Sequence, residues 1–227
     1  MDAAASGGST EGFWQSFTST PETKGPPFST RYAVKVADNK FLSLPIRTLP
    51  DGQHAVASLI INQASFAVLE GLSEAMAELA RAFNAQVVIG LPTLGLALAP
   101  LVAKHLGFSN FIALGYSRKF WYREELSVPV SSITTPDQDK RLYLDPNLIP
   151  RLRGRRALLV DDVVARGTTM RAAQQLLTAV PFDLVGAVVA MTQTSAWRKS
   201  QSHLDLKTVF ASPAFERRAD GWWPTEI

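Results

Sequence analysis

The fold prediction starts from residues 157–169, which read Ala157-Leu158-Leu159-Val160-Asp161-Asp162-Val163-Val164-Ala165-Arg166-Gly167-Thr168-Thr169. The first four residues are aliphatic, as expected for a strand that is buried on both faces of a parallel sheet. Two carboxylates follow at its carboxyl end, where open α/β sheets bind ligands. The small, hydroxyl-rich residues after them would begin a helix, whose first N–H groups favour an anion. The pattern indicates a site for a phosphorylated sugar.

The whole stretch resembles the phosphoribosyl pyrophosphate (PRPP) motif of the type I phosphoribosyltransferases, which has four apolar residues, two acidic residues and a small-residue loop. The resemblance implies an α/β fold with a central, mostly parallel sheet flanked by helices and a small hood. It implies that PRPP is bound by Asp161, Asp162, Val163, Val164, Ala165, Arg166, Gly167, Thr168 and Thr169. Asp161 and Asp162 would also be catalytic and would hold Mg²⁺, directly or through PRPP and water.

Two other interpretations compete with a PRPP site. The aspartates could form a helix-capping turn after an ordinary buried strand. The strand could also be the acidic strand of a P-loop NTPase, but that class needs a G-x-x-x-x-G-K-[ST] loop for the triphosphate. The nearest approach, Gly-Leu-Pro-Thr-Leu-Gly-Leu-Ala at residues 90–97, lacks the Lys and the Ser or Thr. The NTPase interpretation is therefore set aside.

The composition is that of one globular domain without cysteine chemistry. The chain has 227 residues, 46% of them hydrophobic, which suffices for one substantial core. It has no Cys, and His54, His105 and His203 are scattered without metal-ligand spacing. The formal charge of +3 is spread along the chain, so no nucleic-acid partner is expected. The densest basic patch, residues 151–156, is interpreted as a solvated lead-in to the strand.

Strand and helix patterns alternate between residues 86 and 190, which favours a parallel sheet whose last strand is Leu184 to Ala190. No apolar run is long enough to span a membrane and no signal peptide is evident, so a cytoplasmic protein is expected. The predicted limits are 1–29 for a flexible tail with little regular structure, 30–227 for the phosphoribosyltransferase domain, about 55–190 for its core, and 30–50, 192–227 or both for the hood.

Two further segments are similar to parts of the family's site. The turn Leu91-Pro92-Thr93-Leu94-Gly95 is placed like the pyrophosphate loop, although it lacks the basic residue common there. The segment after Tyr116 is similar to the flexible loop that closes over PRPP, and its Arg118 and Lys119 are the candidate catalytic ligands of pyrophosphate. Its composition predicts little apolar contact, and hence disorder from about Ser117 to Asp145 without ligand. A plain turn and solvated charges are the alternatives.

The choice of base depends on a departure within the motif. Relatives that act on 6-oxopurines place an Asp three positions after the second acid, where this chain has Ala165, as adenine phosphoribosyltransferases do. Enzymes of the xanthine and orotate types lack that Asp too. Asp145 is a candidate base contact by loose similarity to the end of the adenine family's loop. Trp222 and Trp223 are candidates for stacking on a flat heterocycle, or else they close the core or a dimer contact.

The resemblance implies an enzyme that transfers the 5-phosphoribosyl group from PRPP to a purine-like nucleobase and releases pyrophosphate, with Mg²⁺ as cofactor. A non-catalytic PRPP-sensing regulator of the same fold is the alternative. Such regulators usually add a DNA-binding domain, for which the N-terminal segment is too short and unpatterned, and the loop arginine and lysine favour catalysis. A homodimer is expected because dimers are usual in the family.

Overall fold

The computed structural model of the protein describes residues 12–130, 140–201 and 203–226. Within them, the strands are β1 (Phe17–Thr18), β2 (Arg31–Ala37), β3 (Lys40–Thr48), β4 (His54–Ala57), β5 (Val87–Gly90), β6 (Ile112–Ala113), β7 (Ser127–Pro129), β8 (Arg141–Tyr143), β9 (Arg156–Val164), β10 (Asp183–Gln193), β11 (Leu206–Ser212), β12 (Ala214–Arg218) and β13 (Gly221–Thr225). The α-helices are α1 (Phe66–Ala80), α2 (Gly95–His105), α3 (Ile149–Leu152), α4 (Thr168–Leu177) and α5 (Trp197–Ser200). Single 3₁₀ turns lie at Ile61–Gln63, Arg81–Phe83, Glu124–Leu126 and Pro146–Leu148.

A parallel sheet forms the core, and its strand order across the described residues is β11-β10-β9-β5-β6. Successive residues along each of these strands pack on opposite faces of the sheet. Val88 and Leu158 belong to the buried cluster that contains residues of α1 and α2. Ile89 and Leu159 belong to a second cluster with residues of α4. Both faces are covered, which explains the continuous apolar runs in sequence, and the predicted parallel α/β fold is confirmed.

The two longest helices of the described residues begin and end at recognisable signals. Ser65 caps α1, because its hydroxyl accepts a hydrogen bond from the Val68 N–H (3.3 Å). Val68, Leu72 and Met76 then recur at helical spacing and are buried. Helix α2 ends just before Gly107, which has a φ of +81° and suits the left-handed residue after a helix. No described helix is long and apolar enough to cross a membrane.

A second, antiparallel sheet is built from both terminal parts of the chain, and we call it the hood sheet. Its order is β1-β3-β4-β12-β13, with β2 also paired with β3. Strand β12 joins β4 through the pair Phe215 and Ala55, which are about 160 positions apart in sequence. Phe28, Tyr32 and Phe215 pack edge to face in its interior, with ring centroids 5.3–5.8 Å apart.

Residues 12–29 are not the unstructured tail that the composition predicts. Phe17 pairs with Leu42 through β1, and Phe28 forms a bridge with Trp222. Gln15 is buried, and its side-chain oxygen accepts a hydrogen bond from the Ile60 N–H (2.8 Å). Backbone pairing thus joins this segment to the hood sheet, and the Gln15 side chain fixes it to Ile60, which lies after β4. Residues 1–11 of the expected tail lie outside the described residues.

The predicted limits of the core are wrong at both ends. His54–Ala57 was expected in the core, but it pairs with β3 and β12 of the hood sheet. The strand ending at Ala190 is not the last core strand, because Leu206–Ser212 adds a parallel edge strand to β10. Residues 192–227, expected as part of the hood, supply β12 and β13 to the hood sheet but also β11 to the parallel sheet.

The segment after Tyr116 is also more ordered than its composition predicts. Strands β7 and β8 form an antiparallel pair, and Leu126, Leu142 and Leu144 are at most 3% exposed in the second core cluster. The expectation of little apolar contact from Ser117 to Asp145 is therefore wrong for the described parts of the segment. Residues 131–139, between the two strands, lie outside the described residues.

Candidate active site

Asp161 and Asp162 lie in β9 at the point where β5, its neighbour on one side, ends and β10, its neighbour on the other side, continues. Pairing of β5 with β9 stops at Gly90 and Val160, and the Leu91 N–H donates to the Val160 carbonyl (2.9 Å). On its other side, β9 stays paired with β10 as far as Val164. Asp161 and Asp162 are therefore inside β9, and not after its end as the sequence suggested. The early end of β5 opens the space beside them.

The carboxyl groups of Asp161 and Asp162 lie next to each other and have little contact with solvent. Asp161 is only 6% exposed, and its Oδ1 accepts a hydrogen bond from the Asp162 N–H (2.9 Å). Burial raises the pKa of Asp161 well above the ordinary aspartate value, and the neighbouring Asp162 carboxylate raises it further. Burial also raises the pKa of Asp162, against the opposing effect of its hydrogen bond with Asp161. Hydroxyl donors or a cation would offset these costs.

The pair fits the donor set of a Mg²⁺ ion that arrives with its substrate. No group of three or more His, Cys, Asp or Glu in the described parts of the chain could hold a metal by itself. Mg²⁺ commonly uses one or two carboxylates together with substrate phosphates and waters. Asp161 and Asp162 can supply that minimal set, which agrees with a metal held jointly by protein and PRPP.

The turn Leu91–Gly95 packs directly against β9. Leu91 and Pro92 are buried while Thr93 is exposed, and the Pro92–Thr93 peptide bond is cis. A Cβ at Gly95 would lie 2.6 Å from the Asp161 Oδ1 and 2.9 Å from its Cα, so only glycine permits this approach. Leu94, at the start of α2, makes no side-chain cap. The Ala97 N–H donates to the Leu94 carbonyl (3.0 Å), so the N–H groups of Gly95 and Leu96 are the ones that can meet an anion beside the aspartates.

The loop Ala165–Thr169 leads into a second helix N-terminus. Gly167 has a φ of +72° and precedes α4 without a side-chain cap. Thr168 and Thr169 are partly exposed, whereas the Val164 side chain is buried, so Val164 can contribute only its backbone. These features suit a phosphate bound by N–H and hydroxyl groups.

Gln201 supports this loop and was missed by the sequence analysis. Its amide nitrogen donates to the Gly167 carbonyl (3.0 Å), and its side-chain oxygen accepts from Gln174 of α4 (2.5 Å). The residue is 4% exposed. A lone Gln in a polar segment carries no pattern that would have revealed this contact.

Arg118 and Lys119, the candidate pyrophosphate ligands, are both exposed but differ in their contacts. Arg118 lies 3.4 Å from a carboxylate oxygen of Glu124, which also pairs with Arg141 at 3.0 Å. Lys119 has no ion pair with another described residue. Of the two cations, Lys119 is the one that the described contacts leave available for a phosphate.

The structure assigns other contacts to the candidate base residues. Asp145 accepts hydrogen bonds from the Asn147 N–H (2.9 Å) and from the Trp121 indole (3.3 Å). Trp222 is 6% exposed within the hood-sheet core, so it has no free ring face and the core interpretation applies. The Trp223 indole donates to Asp220 (2.9 Å) and its ring lies under the Arg218 guanidinium. Stacking on a base is therefore not supported for Trp222.

A cavity of about 280 Å³ lies between the hood sheet and the loop Ala165–Thr169, which is the PRPP loop expected from the motif, and we call it the hood cavity. Its lining consists of Leu49, Val56, Ala165, Arg166, Gln193, Thr194 and Ala196. Gln193 is fixed by donating to the Ala57 carbonyl (2.9 Å), which leaves its side-chain oxygen as an acceptor. Of these residues, the sequence analysis named only Ala165 and Arg166, because the others come from distant segments.

Comparison with known proteins agrees with this geometry. The Phosphoribosyl transferase domain family matches residues 57–212. An adenine phosphoribosyltransferase of Parafrankia sp. (strain EAN1pec) is 31% identical over 146 residues, covering 61% of this chain and 70% of the relative. One from Frankia casuarinae is 32% identical over 152 residues, covering 64% and 76%.

A solved structure of similar fold is that of adenine phosphoribosyltransferase from Rhodothermus marinus. It has a TM-score of 0.55 and 22% identity, and the alignment covers 73% of this chain and 93% of that one. The family match spans both the aspartate strand and the turn at Gly95. The chain belongs to the phosphoribosyltransferase family.

Proposed function

We propose that the protein transfers the 5-phosphoribosyl group from PRPP to a purine-like nucleobase, with adenine as the leading candidate, and releases pyrophosphate. The observation that carries the proposal is the hood cavity, which borders the PRPP loop at Ala165. A small residue there leaves room beside the ribose and offers no carboxylate to a 6-oxopurine. The relatives from Parafrankia and Frankia, both described as adenine phosphoribosyltransferases, support the same base.

Different groups of site residues contact different parts of PRPP. The start of α4, with Thr168 and Thr169, holds the 5-phosphate, and the start of α2 holds pyrophosphate. Asp161 and Asp162 accept hydrogen bonds from the ribose hydroxyls and, as anions, favour the oxocarbenium character of the transition state. A base nitrogen in the hood cavity forms a bond to the anomeric carbon while the bond to pyrophosphate oxygen breaks. The bonding electron pair leaves with pyrophosphate, and the base gives up its N–H proton to pyrophosphate or to solvent. Mg²⁺, when bound, would neutralise charge on the departing pyrophosphate.

The experiment is a panel of nucleobases incubated with PRPP and Mg²⁺ and scored for pyrophosphate release. Adenine is expected to give the fastest release, ahead of hypoxanthine, guanine, xanthine and orotate. PRPP binding without release for any base would contradict the proposal and would favour the PRPP-sensing regulator. Omission of Mg²⁺ is expected to abolish release. A homodimer and a cytoplasmic location stay predictions, which sedimentation and cell fractionation can test.

A further inference from the structure

A second polar cavity, of about 290 Å³, lies at the opposite edge of the parallel sheet, and we call it the amino-edge cavity. Gln86 lines it just before β5, Asn110 just before β6, and Arg155 just before β9. Because the strands are parallel, these positions mark the amino ends, whereas Asp161 lies toward the carboxyl end of β9. The cavity is therefore separate from the active site.

Two arginines of this cavity lack a counter-charge. Arg151 and Arg155 line it, and neither makes an ion pair or a side-chain hydrogen bond with another described residue. Their neighbour Arg156, by contrast, pairs with Asp183 at 2.9 Å. No Asp or Glu of the described residues lines the cavity. Two unpaired guanidinium groups facing one space favour the binding of an anion.

Neutral donors complete the lining. The Gln86 side-chain oxygen accepts a hydrogen bond from the Arg156 N–H (3.0 Å), so its amide nitrogen stays available to donate. Asn110 donates one amide hydrogen to the Ser109 hydroxyl (3.0 Å) and has a second to offer. The cavity thus presents amide and guanidinium N–H groups together, which is the donor set of a phosphate site.

The backbone beneath the arginines is held firmly. The Gly154 N–H donates to the Pro181 carbonyl and the Arg155 N–H to that of Leu152, both at 2.9 Å. The Arg155 carbonyl accepts from the Asp183 N–H at 2.9 Å. Gly154 lies in the turn between α3 and β9 and has a φ of +69°, a left-handed conformation that glycine adopts without strain. Side chains on an ordered backbone lose less entropy when they bind a ligand.

We propose that the amino-edge cavity binds a phosphate group through Arg151 and Arg155, either as inorganic phosphate or as the phosphate of a nucleoside monophosphate. A guanidinium group offers paired N–H donors whose geometry matches two phosphate oxygens. A volume of 290 Å³ is at the lower end for small-molecule sites and admits more than the bare ion.

Calorimetric titration with inorganic phosphate, without Mg²⁺ or PRPP, tests the proposal. Removal of the phosphate-loop hydroxyls by Thr168→Ala with Thr169→Ala weakens phosphate binding at the active site, and all variants are compared in that background, so that the remaining active-site binding is common to them. Adding Arg151→Ala with Arg155→Ala is expected to weaken phosphate binding at least about tenfold. Arg153→Ala is the matched control, because it removes one charge from the same segment but Arg153 does not line the cavity; it is expected to change the affinity less than about twofold.

Unchanged binding in the Arg151 and Arg155 variant would overturn the proposal, and so would an equal loss with Arg153→Ala, which would show only a diffuse charge effect. If the alanine pair lowers the melting temperature, Arg151→Gln with Arg155→Gln replaces it. AMP is then titrated in the same background. AMP is also the product expected at the active site, so only the AMP binding that is lost with Arg151→Ala and Arg155→Ala is assigned to the amino-edge cavity. If that binding is tighter than the phosphate binding lost in the same variant, the ligand is a nucleotide; if the two are equal, the ligand is the free ion.

Discussion

Gly95 and Asp161 touch across the boundary between α2 and β9, and a Cβ at residue 95 would lie 2.6 Å from the Asp161 Oδ1. The turn proposed to bind pyrophosphate and the carboxylate proposed to bind the ribose are thus positioned by one contact. A displacement of either partner moves the other.

Gly95→Ala is therefore expected to damage PRPP binding although residue 95 has no functional side chain. The methyl group must push α2 or the Asp161 carboxylate away, and we expect the KM for PRPP to rise at least about tenfold. Steady-state kinetics checks this. Gly115→Ala is the control, since a Cβ at residue 115 meets nothing within 4 Å. Wild-type kinetics in the Gly95 variant would contradict the contact.

Asp161→Asn is expected to abolish PRPP binding. In the absence of ligand it is expected to stabilise the protein. The pKa of Asp161 is raised in the folded state, so the folded state holds the proton more tightly than the unfolded chain does. Stability is then lost as the pH rises from the ordinary aspartate range through the raised pKa, and the cost is complete at higher pH. Relief of that cost would raise Tm by about 3 °C, on the order of 1 kcal/mol.

Calorimetry with PRPP and Mg²⁺ measures the first effect, and melting curves between pH 4 and pH 8 measure the second. The gain in Tm should shrink as the pH falls. A variant less stable than wild type at every pH would mean that Asp161 is paired more favourably than its burial indicates.

Gln201→Leu is expected to weaken PRPP binding, although Gln201 acts through Gly167 and is not proposed to contact the substrate. The change removes one of the two donors to the Gly167 carbonyl and leaves only the Arg171 N–H, so the turn that orders the first N–H groups of α4 is less well held. We expect the KM for PRPP to rise about fivefold to tenfold with a smaller change in the KM for the base. Gln175→Leu, at an exposed position on α4, is the control and should leave both KM values unchanged. Equal effects of the two substitutions would contradict a positioning role for Gln201.

Lys119→Ala is expected to lower kcat/KM more than it weakens PRPP binding, because a cation near pyrophosphate gains most as negative charge develops. A decrease of about 10²-fold in kcat is the expected size for such a contact. Lys104→Ala, at the far end of α2, is the control. A change confined to KM would assign Lys119 to ground-state binding.

Gln193→Leu is expected to raise the KM for the base about tenfold and to leave PRPP affinity unchanged, because it removes the acceptor from the hood cavity. Trp223→Ala separates this idea from base stacking by the aromatic end. If Trp223→Ala raises the KM for the base and Gln193→Leu does not, the base lies on the other side of the hood sheet.

The aspartate strand and the turns at residues 91–95 and 165–169 could be predicted from sequence because each is a local pattern: four aliphatic residues before Asp161, and small residues before Thr168. The phosphate-binding roles of the two turns stay predictions. The hood cavity could not, since Val56 and Gln193 meet only after two sheets have formed. The order of the segment after Tyr116 could not be predicted either, because Leu126 and Leu142 are separated by a polar stretch in sequence and are buried together only in the folded core.

The pairing of Phe215 with Ala55 has a consequence for the order of assembly. Loop-closure entropy disfavours contacts between distant segments, so such pairs form late in folding. The parallel sheet that carries the phosphate turns uses segments much closer in sequence. A newly made chain is therefore expected to form the parallel sheet that carries Asp161 before β12 pairs with β4 and closes the hood sheet.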